Sequence, residues 1–429
     1  METHLADFIR DTPQGREAEA ILRRCVHCGF CTATCPTYQL FGDELDGPRG
    51  RIYLIKQVLE GAPAGEKTRL HLDRCLTCRS CETTCPSGVE YVKLLDIGRH
   101  VVAAQLPRQG SDALQRTLLK AVAPRPAVFA AALKLGEIAR PLLPAALRDK
   151  IPQRAPRVAS AARPTLDQAK QTHSRRMITL GGCVQPTLQP NIVAAATRVL
   201  DRLGIALIAA DSGPAQAGCC GALHYHLDDV ENARQAARSN IDAWQPLLDA
   251  GAEGLVMTAS GCGLHVRDYV NLLEDDARYA TKAARIALLT RDIAEAVAAE
   301  QEKLLPLLRA CPPLPEKDRP VAFHSPCTLQ HGLKIRGTVE TLLTAAGYQV
   351  QAIADAHLCC GSAGSYSILQ PGIARQLRDN KLATLTAAAP ATIASANIGC
   401  ITHLQSGVDL PVKHWIELID RRLADPSPE

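Results

Sequence analysis

The sequence predicts a chain of class α plus α/β: an α-helical N-terminal domain followed by two copies of a mostly parallel α/β domain rich in cysteine. Three observations predict it. A four-cysteine run ending in Cys-Pro occurs twice before residue 90, with helical apolar spacing between the copies. A Cys-Cys-Gly triplet occurs twice in the second half, flanked at a distance by single cysteines. Around those triplets, short apolar runs alternate with helical patterns. The expected boundaries are 17–102 for the helical domain, 103–175 for a connector, and 176–300 and 318–424 for the two copies.

The first run reads Cys25-x-x-Cys28-x-x-Cys31-x-x-x-Cys35-Pro36, and the second Cys75-x-x-Cys78-x-x-Cys81-x-x-x-Cys85-Pro86. This is the ligand run of two-cluster bacterial ferredoxins. Three cysteines wrap one cubane and the fourth points away to the other. One 4Fe–4S cluster is therefore expected on Cys25, Cys28, Cys31 and Cys85, and a second on Cys75, Cys78, Cys81 and Cys35. The proline after each fourth cysteine is expected to stop the local helix. Zinc also takes four thiolates, but usually from two C-x-x-C pairs rather than from a run closed by proline. Between the runs, GRIYLIKQVLEG puts Ile52, Ile55 and Leu59 on one helical face, which points to an α-helical ferredoxin rather than the form with short hairpins. Arg49 and Arg51 stand near Cys35, either as cations that favour a reduced cluster or as a solvated turn. His27 is expected to point outward.

The connector is free of cysteine. Its later part, IPQRAPRVASAARPTLDQAKQTHSRR, reads as a Pro- and Arg-rich linker after a helical start. The most apolar stretch, Val128 to Leu147, is broken by Lys134, Glu137, Arg140, Pro141 and Pro144, so no transmembrane segment is expected. The N-terminus METHLADFIRDTPQGREAEA has no secretory pattern. A cytoplasmic protein is expected, peripheral on the inner face of the membrane through its partners. In that setting 17 cysteines read as metal sites rather than disulfides. The net charge of +4 counts thiols as neutral, which metal ligation would reverse. Aromatics at 3% argue against a base-stacking surface, so no nucleic-acid partner is expected.

The second half repeats internally. Cys183, Cys219-Cys220-Gly221 and Cys262 correspond to Cys327, Cys359-Cys360-Gly361 and Cys400. Thr187-Leu188-Gln189 parallels Thr328-Leu329-Gln330, and Ala233-Arg234-Gln235 parallels Ala374-Arg375-Gln376. The apolar runs MITLGGC, LVMTASGC, VAFHSPC and ATIASANIGC read as buried strands leading to Cys183, Cys262, Cys327 and Cys400. Helices are expected over Asn191 to Leu203, Glu231 to Leu248 and Val339 to Ala346. Open parallel sheets bind ligands beyond the carboxyl ends of their strands, where these cysteines would lie. Adjacent cysteines bridge poorly. The layout instead suits three loops meeting at one metal or redox site, built from Cys183, Cys219, Cys220 and Cys262 or from Cys327, Cys359, Cys360 and Cys400. Each copy ends in C-x-x-His, which makes His265 and His403 possible further ligands. Bare thiols in a folded core are the alternative, and the spacing does not fix a cluster type. Cys311 falls outside the pattern.

No dinucleotide fingerprint, P-loop or serine-nucleophile elbow is present. Without a hydride acceptor, the natural task is to take electrons singly from a flavin on another chain. At this point the whole chain resembles the iron–sulfur subunits of bacterial glycolate oxidase. The likeness lies in CVHCGFCTATCPTYQL, GDELDGPRGRIYLIKQVLEG and LDRCLTCRSCETTCPSGV, then in AGCCGALHYHL, ASGCGLHV, CTLQHGLK, HLCCGSAGSYSI and ANIGC. The resemblance implies two flavin-type dehydrogenase subunits, which carry FAD and oxidise glycolate to glyoxylate. It implies electron flow through this chain to a quinone or other membrane acceptor, with no substrate oxidation by this chain alone. It also implies that all eight N-terminal cysteines ligate clusters. The double-cysteine repeats resemble those of heterodisulfide reductases, which hold non-cubane clusters through a final C-x-x-Cys. His265 and His403 depart from that pattern. A subunit of a related glycerol-3-phosphate or lactate dehydrogenase complex, a catalytic disulfide reductase and a zinc-stabilised interaction protein are the other readings.

Overall fold

The computed structural model describes residues 1–142, 173–210 and 217–424. The stretch expected as a linker lies, up to residue 172, outside them.

Up to residue 142 every regular element is helical. Helix Pro13–Arg24 starts where it does because Thr12 Oγ1 accepts from the Gly15 amide at 3.0 Å and Pro13 occupies the first turn. Helices Pro48–Leu59 and Tyr91–Gln105 cross at Gly98, where a Cβ would stand 2.6 Å from Ile55. That glycine sets how closely the helices approach. Ile21, Leu22, Ile55, Leu59, Leu94 and Leu95 fill the core between them.

Three of the cysteines stand at helix ends. Cys25 closes Pro13–Arg24, Cys35 precedes Pro36–Phe41, and Cys85 closes Ser80–Thr84. The expectation for the prolines is half corrected. Pro86 follows a helix end, but Pro36 opens a helix at its first position, where a missing N–H costs nothing. Helices Gly110–Val122 and Pro126–Ala139 follow. Among the described residues, no helix is long and apolar enough to cross a membrane.

The two α/β copies have the same topology. Strands β1 (Arg175–Thr179), β2 (Ile205–Ala209), β3 (Leu255–Met257) and β4 (Thr290–Asp292) form an all-parallel sheet in the order β2-β1-β3-β4. Strands β5 (Pro320–His324), β6 (Gln349–Gln351), β7 (Thr392–Ser395) and β8 (Val412–His414) form the second, in the order β6-β5-β7-β8. The expected helices appear as Asn191–Arg202, Val230–Asp249 and Thr338–Ala345. Cys262 and Cys400 each stand in the first turn of a helix, Ser260–Arg267 and Ile398–Gln405.

The copies share one core, in which Val199 and Leu200 join Trp415, Ile416 and Ile419. Arg198 adds a two-pronged pair with Asp420 at 2.5–3.1 Å. Their cysteine-bearing ends face each other: Ser260 Oγ and Thr328 Oγ1 are 2.7 Å apart. The helical domain sits on both. Arg79 pairs with Asp268 of the first copy at 2.9 Å, and Tyr366 Oη of the second donates to the Arg74 carbonyl at 3.1 Å.

Candidate metal centres

Two cavities lie side by side in the helical domain. The first is lined by Cys25, Cys28, Cys31, Cys81 and Cys85. The second is lined by Cys35, Cys75, Cys78 and Cys81. Each thus gathers three sulfurs from one run and the fourth of the other, with Cys81 lining both. Burial pushes the Cys31 thiol up to about 11, and Cys81 and Cys35 are raised for the same reason. Thiols crowded this way out of water favour thiolate only when a cation takes them up. The donor set therefore fits iron–sulfur clusters.

The surroundings differ. Arg51 is 1% exposed beside the second cavity. Its Nε donates to the His71 carbonyl at 2.7 Å, and its other nitrogens reach Thr37 and Asp46 at 3.1–3.3 Å. Burial opposes its charge, but Cys75, Tyr91, Cys35 and Asp46 outweigh that and hold the guanidinium firmly protonated. It is a fixed cation against the second sulfur set, which the solvated-turn alternative does not describe. Arg49 lines the first cavity and pairs with Glu44 at 2.5 Å. His27, expected to point outward, lines that cavity with Nε2 shielded from solvent. Cys28 is exposed, as are Val26 and Phe30 beside it. The first cavity thus opens on a partly apolar surface.

In the first α/β copy the four cysteines meet: Cys183 touches Cys219, Cys219 touches Cys220, and Cys220 touches Cys262. Hydrogen bonds from Cys183, Cys220 and the Gly221 amide hold the Cys219 thiol well below its usual range. In the second copy Cys327 touches Cys359, Cys359 touches Cys360, and Cys360 touches Cys400. Gly361 (φ 86°) makes the tight turn, since a Cβ there would lie 2.5 Å from the Ala374 carbonyl oxygen.

Two contacts were not visible in the sequence. Cys327 reaches Cys78 of the helical domain, so the second copy's sulfurs touch the second cavity's. Leu76, Tyr366, Ala374 and Leu377 pack around that junction. The second concerns histidine. His403 Nε2 meets the Ala374 carbonyl at 3.1 Å rather than the thiols. His265 is buried beside Tyr225, His226 and Tyr269, with Nε2 unpartnered. The histidine that joins the sulfurs of the second copy is His324, at the end of β5: one of its ring nitrogens lies within 4.8 Å of the sulfurs of both Cys360 and Cys400. A polar residue inside the apolar run VAFHSPC was the signal for it. Cys311 is half-buried apart from these sites, its Sγ on the Leu307 carbonyl at 3.2 Å.

The fold and these sites define an iron–sulfur protein with one helical dicluster domain and two cysteine-rich domains. Residues 21–89 match the family model described as a 4Fe-4S dicluster domain, and residues 179–267 and 321–405 match that of the cysteine-rich domain. The chain is 51% identical to the glycolate oxidase iron-sulfur subunit of Escherichia coli K12 over 99% of each. It is 28% identical to the probable glycolate oxidase iron-sulfur subunit of Bacillus subtilis 168, over 92% of this chain and 90% of the relative. Lactate utilization protein A of the same Bacillus is 24% identical over 56% of this chain. The chain belongs to the family of glycolate oxidase iron–sulfur subunits.

Proposed function

We propose that this chain is the electron relay of a glycolate-oxidising complex, joining flavin-bearing subunits that make glyoxylate to a quinone or other membrane acceptor. The names of the full-length relatives support the complex, and the absence of any hydride-accepting motif supports the division of labour. Cys25, Cys28, Cys31 and Cys85 would hold one 4Fe–4S cluster, and Cys75, Cys78, Cys81 and Cys35 the other. Such clusters, when bound, pass single electrons. The chain's residues give the route its direction. Exposed Cys28, with Val26 and Phe30, forms the face for the electron donor. Arg51 supplies a buried positive charge at the second site, which favours the reduced state there. Cys78 against Cys327 leads onward into the second cysteine-rich domain.

That last contact carries the reading. Free-thiol disulfide reduction in that domain would need an accessible pair, but Cys327, Cys359, Cys360 and Cys400 are all buried. The test is the anaerobically purified complex with Cys35→Ser. The signal of the cluster beside Arg51 should be lost or altered in low-temperature EPR, while the other persists. Loss of only the cluster on Cys25, Cys28 and Cys31 would refute the crossed ligand sets. Iron analysis should give about eight irons per chain, as two cubanes require.

A further inference from the structure

We infer that the second cysteine-rich domain, unlike the first, holds one mononuclear metal ion of the zinc class on His324, Cys360 and Cys400. Such an ion moves no electron, so with it the proposed route meets this domain at the Cys78–Cys327 contact and does not pass through the His324 site.

A ring nitrogen of His324 and the sulfurs of Cys360 and Cys400 lie within 4.8 Å of one another, and all three residues are buried. They come from three separate places: the end of β5, the Cys-Cys-Gly turn and the helix Ile398–Gln405. The hydrogen bonds suit one state of the imidazole. Ser395 Oγ donates its single proton to the His324 carbonyl at 3.0 Å. Towards His324 Nδ1, also at 3.0 Å, that hydroxyl can then only accept. With both bonds made, Nδ1 carries the ring proton and Nε2 keeps a free lone pair. Nε2 is shielded from solvent and has no hydrogen-bond partner. A buried imidazole nitrogen left unpaired is costly. A ligating histidine, by contrast, usually donates its other N–H to a fixed acceptor, as Nδ1 does here to Ser395. The tautomer with its proton on Nδ1, which a metal at Nε2 requires, is the one that satisfies both Ser395 hydrogen bonds.

The donor chemistry selects the ion. Two thiolates and one imidazole suit zinc, which tolerates Cys and His mixtures and imposes no redox demand. Two thiolates also neutralise a divalent cation, so the buried group would carry no net charge. The first domain lacks a histidine at this position. Counting back three residues from Cys183 and Cys327 aligns Leu180 with His324, and counting back five from Cys262 and Cys400 aligns Met257 with Ser395. Both replacements are apolar and buried, so ligand and orienting partner are missing together. The histidine of the C-x-x-His in the second domain is not the ligand, because His403 Nε2 is engaged by the Ala374 carbonyl.

The test is metal analysis of the full-length protein purified anaerobically in its complex, with the N-terminal cluster signals as a check on folding. Wild-type protein should hold about one zinc per chain beyond its cluster iron. His324→Leu and Cys400→Ser should each lose it, while His403→Gln and Cys262→Ser keep it. X-ray absorption at the zinc edge of the wild type gives a second readout that needs no variant to fold, and should show mixed nitrogen and sulfur ligation. Absence of zinc, retention of it in His324→Leu, or its loss in His403→Gln would overturn the assignment. So would additional iron whose signal disappears with His324→Leu, since that would mean a cluster rather than a single ion.

Discussion

The two cysteine-rich domains share strand order, cysteine spacing and the Cys-Cys-Gly turn, yet they meet the helical domain differently. The first makes a polar junction, with Arg79 on Asp268. The second brings a sulfur of its own, Cys327, against Cys78 and seals the contact with Leu76, Tyr366 and Leu377. The second also has a histidine where the first has leucine. Duplication has thus kept one scaffold, both copies hold the helical domain, and the second also touches its second sulfur set.

The largest expected effect comes from breaking that contact at its source. Cys78→Ser should lower glycolate-dependent turnover of the complex by about a hundredfold or more, because the proposed route passes the second sulfur set there. Near-normal turnover would remove the second sulfur set from the path. Next, the same assay should separate the copies. Cys327→Ser should slow turnover by roughly tenfold, and Cys183→Ser by less than about twofold, if only one copy lies on the route. Equal effects would mean that the copies are functionally alike.

The turns give a stability comparison. An added Cβ at Gly361 would meet a backbone oxygen at 2.5 Å, whereas at Gly221 the nearest is 3.1 Å. Both positions have positive φ. Gly361→Ala should therefore cost ~3 kcal/mol or more and Gly221→Ala ~1–2 kcal/mol, from left-handed strain with and without a hard clash. Denaturant melts of the two variants would show the difference, and the reverse order would contradict it.

The smallest effect is also the most diagnostic of pH. Asp292 ends β4 and His414 ends β8, and each caps the helix that follows. Burial raises the Asp292 carboxyl from 3.8 to about 7 and lowers the His414 imidazole from 6.5 to about 3. The folded state holds Asp292 protonated, so its contribution is present at low pH and is lost as pH rises from about 4 to 7. It holds His414 neutral, so that contribution is present above about 6.5 and is lost as pH falls towards 3. The copies thus carry opposite slopes. Asp292→Asn should make the rise of Tm with pH steeper, and His414→Asn should flatten it. Parallel profiles would show that neither group is held in the state described.

Much of this was legible in the sequence, for identifiable reasons. The four-cysteine runs are local, and their spacing dictates how sulfurs are presented. The helical insert followed from Ile52, Ile55 and Leu59, and the parallel sheets from apolar runs alternating with helical patterns. What escaped depends on register and docking. His324 meets Cys400 only because β5 lies beside β7, a pairing that local spacing does not contain. The C-x-x-His pattern drew attention to His403, whose position on the helix Ile398–Gln405 turns Nε2 to a backbone carbonyl instead. Pro36 read as a helix stop because proline does end helices, but it fits a first turn equally well. The Cys78–Cys327 contact joins residues far apart in the chain and exists only once the domains have packed.

The central claim is that electrons leave the helical domain through the second cysteine-rich domain. Single-turnover kinetics on the assembled complex test it most directly, by following cluster absorbance after mixing with glycolate and then with a quinone analogue. With Cys327→Ser, reduction by glycolate should proceed at the wild-type rate while reoxidation by the quinone slows. Unchanged reoxidation in Cys327→Ser, with slowing in Cys183→Ser instead, would place the exit in the first domain and contradict the account.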